Sequence, residues 1–449
     1  MSDINTILLC LSTVLSNTDR HHLQLISYAL LAMNGRVTML GISRWTEKGG
    51  SYRTIQRFFG RARSWCRLNW CLIRHHLLDK DDVILIAGDT TTVTKSGKQT
   101  HGLDRWFASI YNRAVPGLSF FTLSLISVKQ RRAFPVMTEQ VEKEPDEETS
   151  KRTASTPRKK KKSSQKMPES KKPGRPKGSR NQTRSVPKLP TRLLWIQALL
   201  RNLLQLIGTQ LNLVYWVYDN ALGNNEGVAM VKPLGLDLIS KLRCDAALWF
   251  PDEDPYQGRG APRKYGDKVD YANIPTQYLK DSEVTEQVLT DIYQMTVRHK
   301  RFAQLLNVVV IRKTNRKTEK VAQVILFSTD LKLAWDKLIE YYRLRFQIEF
   351  NFRDAKQYWG LEDFMNIGPI PVYNAANLSM FMVNLSQVLR QQAPCLGMSV
   401  IDLKVWFQAD KYVREVLKRL QQSADPNFIN RIIVDTAQFG RVNRPVEVG

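Results

Sequence analysis

Cysteine is scarce and poorly placed for cross-linking. The five residues, Cys10, Cys66, Cys71, Cys244 and Cys395, are an odd number scattered along 449 positions. Cys66 and Cys71 are close, but no second pair and no His pair completes a zinc set. Reduced thiols in a cytosolic protein are the expectation. The His21-His22 and His75-His76 pairs lack metal-ligand spacing and read as surface. There is no run of about 18 apolar residues, and the opening MSDINTILLCLSTVLSNTDR has neither a basic leader nor a small-residue cleavage site. Neither membrane insertion nor secretion is expected. Acid is in deficit: 42 Asp and Glu face 67 Lys and Arg, a formal charge of +25. That excess points to a phosphate-rich partner, because phosphate neutralisation with counterion release dominates nucleic-acid affinity. An anionic membrane surface is the competing reading.

The positive charge is concentrated. Residues 151–192 hold sixteen Lys and Arg and one acid, Glu169, directly after a run from Glu139 to Glu148 with six acids and one Lys. The stretch 138–190 is rich in Ser, Thr, Pro, Lys and Glu and has no aromatic residue. It cannot bury enough apolar surface to offset the entropy of ordering, so disorder is expected. Within it, Lys172-Pro173-Gly174-Arg175-Pro176-Lys177-Gly178 resembles an AT-hook, an extended segment that lays an arginine, here Arg175, into a narrow minor groove. A generic solvated basic linker is the alternative.

With that insert set aside, 43% hydrophobic residues over this length predict about two to four domains. Residues 83–89, Val-Ile-Leu-Ile-Ala-Gly-Asp, form an apolar run ending at Asp89, the pattern of a buried strand. Ser119–Val128 reads as a second strand, preceded by a turn at Gly117, and Arg132–Met137 as a third. Leu193–Ile207 has helical periodicity and stops at Gly208. Leu213–Tyr218 is again a buried strand, ending at Asp219, with Asn220–Asn225 as a turn that caps the next helix. Another strand follows within Leu236–Phe250.

Further on, Tyr342, Arg345, Glu349 and Lys356 fall at i, i+3, i+7 and i+14, one stripe of an α-helix. Glu349 thus stands between two cations. Asp354 falls about 140° round the helix from it, off the stripe. Two carboxylates at strand ends and a third on a helix are able to chelate two hard divalent cations about 4 Å apart, the arrangement used for in-line attack on phosphodiesters. Oxygen ligands without His or Cys favour Mg²⁺ over Zn²⁺.

These motifs together resemble the DDE transposases of bacterial insertion sequences, in the group with a Tyr-x2-Arg-x3-Glu-x6-Lys signature. Tyr342, Arg345, Glu349 and Lys356 meet that signature in full, with Asp89 and Asp219 as the first two acids. The resemblance implies an α/β fold: an RNase H-like catalytic domain with a mixed five-stranded sheet and flanking helices, interrupted by a β-rich insertion and preceded by helices. It implies that Asp89, Asp219 and Glu349 bind two Mg²⁺, with Mn²⁺ as a substitute. Tyr342, Arg345 and Lys356 would hold the phosphate beside the scissile bond. The implied reaction is cleavage of double-stranded DNA at terminal inverted repeats and strand transfer into target DNA, by a homodimer pairing both ends in the bacterial cytoplasm, associated with the nucleoid.

The expected organisation is a helical, helix-turn-helix-like unit at 1–78, with Ser51 capping a helix that exposes Arg53, Gln56 and Arg57. The catalytic domain spans 79–251 and 333–392, and the β-rich insertion 252–332. A helical region covers 393–449, where Trp406–Leu420 either finishes the core or serves dimerisation. The insertion carries a hairpin of Asn307–Arg312 and Lys320–Ser328 with a basic tip. It also carries a basic loop, Gly258–Gly266, whose Arg259, Arg263 and Lys264 would touch the DNA end. Trp249 and Trp335 bracket the insertion and read as core. Two alternatives remain: an RNase H-like nuclease or resolvase that does not transfer strands, and a domesticated DNA-binding derivative.

Overall fold

The computed structural model describes residues 4–46, 49–108, 111–143, 187–252, 258, 263–419 and 425–439. Arg175 with its AT-hook-like segment, and Arg259, lie outside the described residues.

Five helices open the chain: α1 (Ile4–Leu8), α2 (Asn17–Ala32), α3 (Met39–Trp45), α4 (Tyr52–Gly60) and α5 (Trp65–His76). Their starts follow from local chemistry. The side chains of Ser16, Thr38 and Ser51 each accept a backbone N–H three residues on, which satisfies donors that the first turn leaves free. Four strands follow, β1 (Ile84–Thr94), β2 (Asp104–Ala108), β3 (Arg113–Ser127) and β4 (Arg132–Val141). Then come α6 (Thr191–Ile207), β5 (Tyr215–Val217), α7 (Asn225–Val231), β6 (Asp237–Leu242) and β7 (Leu248–Trp249). The strands β8 (Leu279–Thr285), β9 (Val288–His299), β10 (Leu305–Asn315) and β11 (Val321–Ser328) precede α8 (Trp335–Leu344), α9 (Gln347–Gln357), α10 (Pro369–Leu389), α11 (Val400–Arg419) and α12 (Pro426–Phe439).

The described strands form one mixed sheet of eleven, in the order β2-β3-β1-β5-β6-β11-β10-β9-β7, with β4 beside β3 and β8 beside β9. Its first half is an antiparallel meander, β1-β3-β4, extended by β5 parallel to β1 and by β6 parallel to β5. The sheet does not stop at the five strands expected. β11 pairs antiparallel with β6, so the hairpin region continues the same sheet instead of standing apart from it. Unpaired strand edges carry free donors and acceptors, and the edge of β6 is closed in this way.

Other expectations shift. Gly117 lies inside β3, not in a turn before it. A Cβ there would sit 2.3 Å from the Val93 carbonyl oxygen, so glycine permits the close approach of β1 and β3. β4 runs through Val141, so the acidic stretch begins in a strand, because Thr138 and Val141 are buried in the ladder with β3. The strands β2, β8 and β9 had no counterpart in the sequence reading; β8 is exposed throughout and shows no apolar alternation.

Helix α10 is buried almost all round, from Val372 to Leu389, and its asparagines pin the neighbouring elements. Asn374 donates to the carbonyls of Phe59 and Arg61 and accepts from the Trp65 indole. Asn384 donates to Asn69 and to the Pro135 carbonyl, and Asn377 to the Thr138 carbonyl. Helices α4 and α5 are thereby bolted to the β4 end of the sheet, and α11 packs on α2 and α12. No described helix is long and apolar enough to cross a membrane.

Candidate active site

Asp89 sits in the middle of β1, not at its end. Thr90–Thr94 go on pairing with Phe121–Gly117, because threonines keep the β3 ladder while the other side of β1 is released. That release is the work of β5, which pairs only Trp216 and Val217 with Ile86 and Ala87. Ala87 lies opposite Val217, where β5 ends; Asp219 follows two residues on, in the loop after the strand, close enough for its charge to act on Asp89. Gly88 clears the other face: a Cβ would meet Trp216 Cη2 at 2.5 Å and Phe121 Cζ at 2.8 Å.

Asp219 caps the 3-10 turn Asn220–Leu222, its Oδ1 accepting from the Ala221 N–H at 3.0 Å. Its carbonyl accepts from the Ser240 hydroxyl at 2.7 Å, which ties the loop to β6. Asn224 caps α7 as expected, accepting from the Gly227 N–H.

The stripe of Tyr342, Arg345, Glu349 and Lys356 does not lie on a single helix. α8 ends at Leu344 and α9 begins at Gln347. Between them the backbone bonds tighten to i→i+3: Arg345 N–H to the Tyr342 carbonyl, Phe346 to Arg343, Ile348 to Arg345, and Glu349 to Phe346. The tighter winding changes the phase of the two helices. The consequence is a distinct role for the residue at the junction. Arg345 Nη1 donates to Asp89 Oδ2 at 3.0 Å and Nη2 to Glu349 Oε1 at 3.2 Å. One guanidinium thus bridges β1 and α9 across 256 residues of sequence.

The electrostatics match this clustering. Burial pushes the Asp89 carboxyl above its ordinary range. The Thr90 N–H and Arg345 pull it back, and the charges of Asp219 and Glu349 push it up again. Burial lowers the Arg345 guanidinium, but Asp89, Tyr342, Glu349 and Asp219 outweigh it and raise the net value. Tyr342 is half-buried; burial raises its phenol, against Arg345 and with Asp219. The three acids, Tyr342 and Arg345 therefore feel one another.

Lys356 is turned to a different partner set. Its Nζ donates to the Thr92 carbonyl at 2.7 Å and pairs with Glu362 at 3.3 Å, further along β1. Asp354 is held by Arg353, with Arg390 also acting on its charge, so it belongs to another environment. Arg53 and Arg57 are exposed on α4, and Arg263 and Lys264 are exposed before β8. Among the described residues these four share no hydrogen bond or ion pair with the carboxylates. Sequence reasoning missed Arg192, at the start of α6, which donates to the Thr90 hydroxyl at 3.1 Å. It also missed Lys95, whose amine caps the carbonyls of Glu362 and Phe364. Neither had a motif to mark it.

Asp89, Asp219 and Glu349 thus form one charge cluster, with Arg345 between Asp89 and Glu349. Residues 10–301 match the family model of the DDE superfamily endonucleases. The chain belongs to that family, which makes it a nuclease- or transposase-type enzyme with DNA as its substrate. The matched range includes Asp89 and Asp219 and ends before Glu349. No curated protein shows a significant match to the chain.

Enzymes of this kind normally use divalent metal ions. The donor set fits in kind, being three carboxylates of hard oxygen, and a cationic group already lies between two of them. In the arrangement seen, no three acidic or His/Cys side chains among the described residues stand close enough together to hold one ion. The Arg345 fork, wider than a metal ion, separates Asp89 from Glu349.

Proposed function

We propose that this protein is a transposase that cuts DNA at the ends of an insertion sequence and joins the freed 3′ ends to target DNA. Asp89, Asp219 and Glu349 are its acid triad, on an RNase H-like core. The observation that carries this reading is the clustering of the three acids: Asp219, just past the end of β5, acts on the charge of Asp89 on β1, and Arg345 links Glu349 to Asp89. The strand order β4-β3-β1-β5-β6, an antiparallel meander followed by two parallel strands, supports the RNase H-like assignment.

The three acids supply oxygen donors from a strand, the loop after β5 and a helix. Two Mg²⁺, or Mn²⁺ in their place, would activate the attacking water or 3′-hydroxyl and neutralise the leaving oxygen. Around them, burial of Asp89 and Tyr342 limits water at the reacting phosphate. Arg345 offers a bidentate fork to a phosphate and Lys356 a point charge. Arg53 and Arg57 on α4 would read the terminal repeat, and Arg259, Arg263, Lys264 and Arg175 would hold flanking backbone. The working form is a homodimer that pairs the two ends, in the bacterial cytoplasm.

The test is cleavage and joining of a terminal-repeat duplex with Mg²⁺. Asp89→Asn, Asp219→Asn and Glu349→Gln should each lower cleavage by on the order of 10²–10³-fold while leaving duplex binding measurable. Full cleavage by any one of them would sink the triad. Cleavage without joining in the unaltered protein would select the nuclease reading.

A further inference from the structure

Arg345 turns both terminal nitrogens of its guanidinium to two of the acids assigned to metal. Asp89 accepts on both oxygens, Oδ1 from the Thr90 N–H at 2.7 Å and Oδ2 from Arg345 at 3.0 Å. Glu349 gives Oε1 to the other arm of the same guanidinium at 3.2 Å. The Arg345 side chain is only 15% exposed, against 43% for Glu349, so the cation lies inside the acid cluster and the cluster opens on the Glu349 side. We propose that Arg345 is an internal counter-ion that competes with divalent cations for Asp89 and Glu349, so that metal loading and DNA binding are coupled through this one side chain. The inference rests on the reading of the three acids as metal ligands.

Three features carry it. The first is charge: a dication approaching Asp89 and Glu349 meets a guanidinium already bonded to both, and like charges in a partly buried site repel strongly. The second is position. Arg345 stands at the two-residue junction of α8 and α9, where the helical ladder is tightened, and its stem is long and unbranched. Swinging the head group out toward the open Glu349 side breaks two side-chain contacts and no backbone bond. The third is the destination. A guanidinium released from two carboxylates has a matching acceptor in a backbone phosphate, which takes the same bidentate fork. Phosphate binding therefore frees Asp89 and Glu349, and metal binding frees Arg345 for phosphate. By linkage, each must raise the affinity of the other by the same factor.

Isothermal titration with Mn²⁺ alone tests this on the full-length protein. The Arg345→Gln variant should bind Mn²⁺ about tenfold or more tightly than the wild type without DNA, and Arg345→Lys, which keeps the charge but loses the fork, should fall between. In the wild type, saturating duplex should tighten Mn²⁺ binding by a comparable factor after subtraction of ion uptake by the duplex alone; in Arg345→Gln that gain should disappear. Equal or weaker Mn²⁺ binding by Arg345→Gln, with its thermal midpoint near that of the wild type, overturns the proposal. If Arg345→Gln does not fold, a wild-type Mn²⁺ affinity that duplex leaves unchanged overturns it equally. Asp89→Asn separates the two readings: it should weaken Mn²⁺ binding whatever Arg345 does. If it does not, the metal-ligand assignment fails first and this inference with it.

Discussion

The two ends of the sheet are built on different terms. At the β1-β3-β4 end, β3 is buried without interruption from Gly117 to Ser127, and α5, α9 and α10 pack against β4. At the other end every residue of β8 from Leu279 to Thr285 is exposed, and the β10-β11 hairpin projects Lys313, Arg316, Lys317 and Lys320 into solvent. In a closely packed strand a one-residue slip moves every side chain to the opposite face and into different neighbours, so packing enforces the register. The acids sit at the end where register is enforced. The solvated end holds its shape by ladder bonds and tolerates variation in side chains, which suits a charged surface more than a reacting centre.

This contrast is open to direct challenge. The largest effect on stability is expected at Asn374, which joins α10 to Phe59, Arg61 and Trp65. Asn374→Ala strands buried carbonyls and an indole N–H and should cost about 2–4 kcal/mol in denaturant unfolding. A cost below 1 kcal/mol would show that the acid-bearing end is no more tightly specified than the hairpin end.

Glu139, in β4, sharpens the comparison through pH. Burial lifts its carboxyl from 4.5 to about 7, against a weak donation from the Tyr373 hydroxyl at 3.4 Å. An acid with a raised value in the fold binds more protons folded than unfolded. Its contribution to stability is therefore present at low pH and lost as pH rises from about 4.5 to about 7. Glu139→Gln should stabilise the protein by about 2–3 kcal/mol at pH 8 and by little at pH 4.5. A pH-independent difference would mean that Glu139 is solvated like a hairpin residue.

The smallest effect is expected at the exposed end. Lys317→Ala should change unfolding free energy by no more than about 0.5 kcal/mol. If the hairpin tip meets DNA backbone, the same change should reduce the slope of log affinity against log salt by about 1. An unchanged slope would leave the tip outside the interface.

Much of the acid-bearing end was legible in advance. The apolar runs before Asp89 and Asp219 and a capping Asn within 220–225 announced themselves, because a buried strand and a capped helix each have a local pattern. The β8-β9 edge was not legible: Leu279–Thr285 has no buried face and hence no periodicity for a sequence to display. The helix break at Arg345 was hidden for another reason. Residues 342–356 contain neither Gly nor Pro, so nothing local marks a tightened turn.

The sequence by itself determined which residue types are available: two strand acids, a third acid with its Tyr, Arg and Lys neighbours, and a surplus of cations. Only the tertiary structure decided how they are paired. Arg345 reaches Asp89 across 256 positions, Arg192 reaches Thr90 across 102, and Lys356 turns to the Thr92 carbonyl, not to the acids. Spacing along one helix fixes only which residues share a face of that helix. Which charge lies against which is set by the register of β1 with β5 and by the packing of α9 over them, and those are long-range terms that no local pattern encodes.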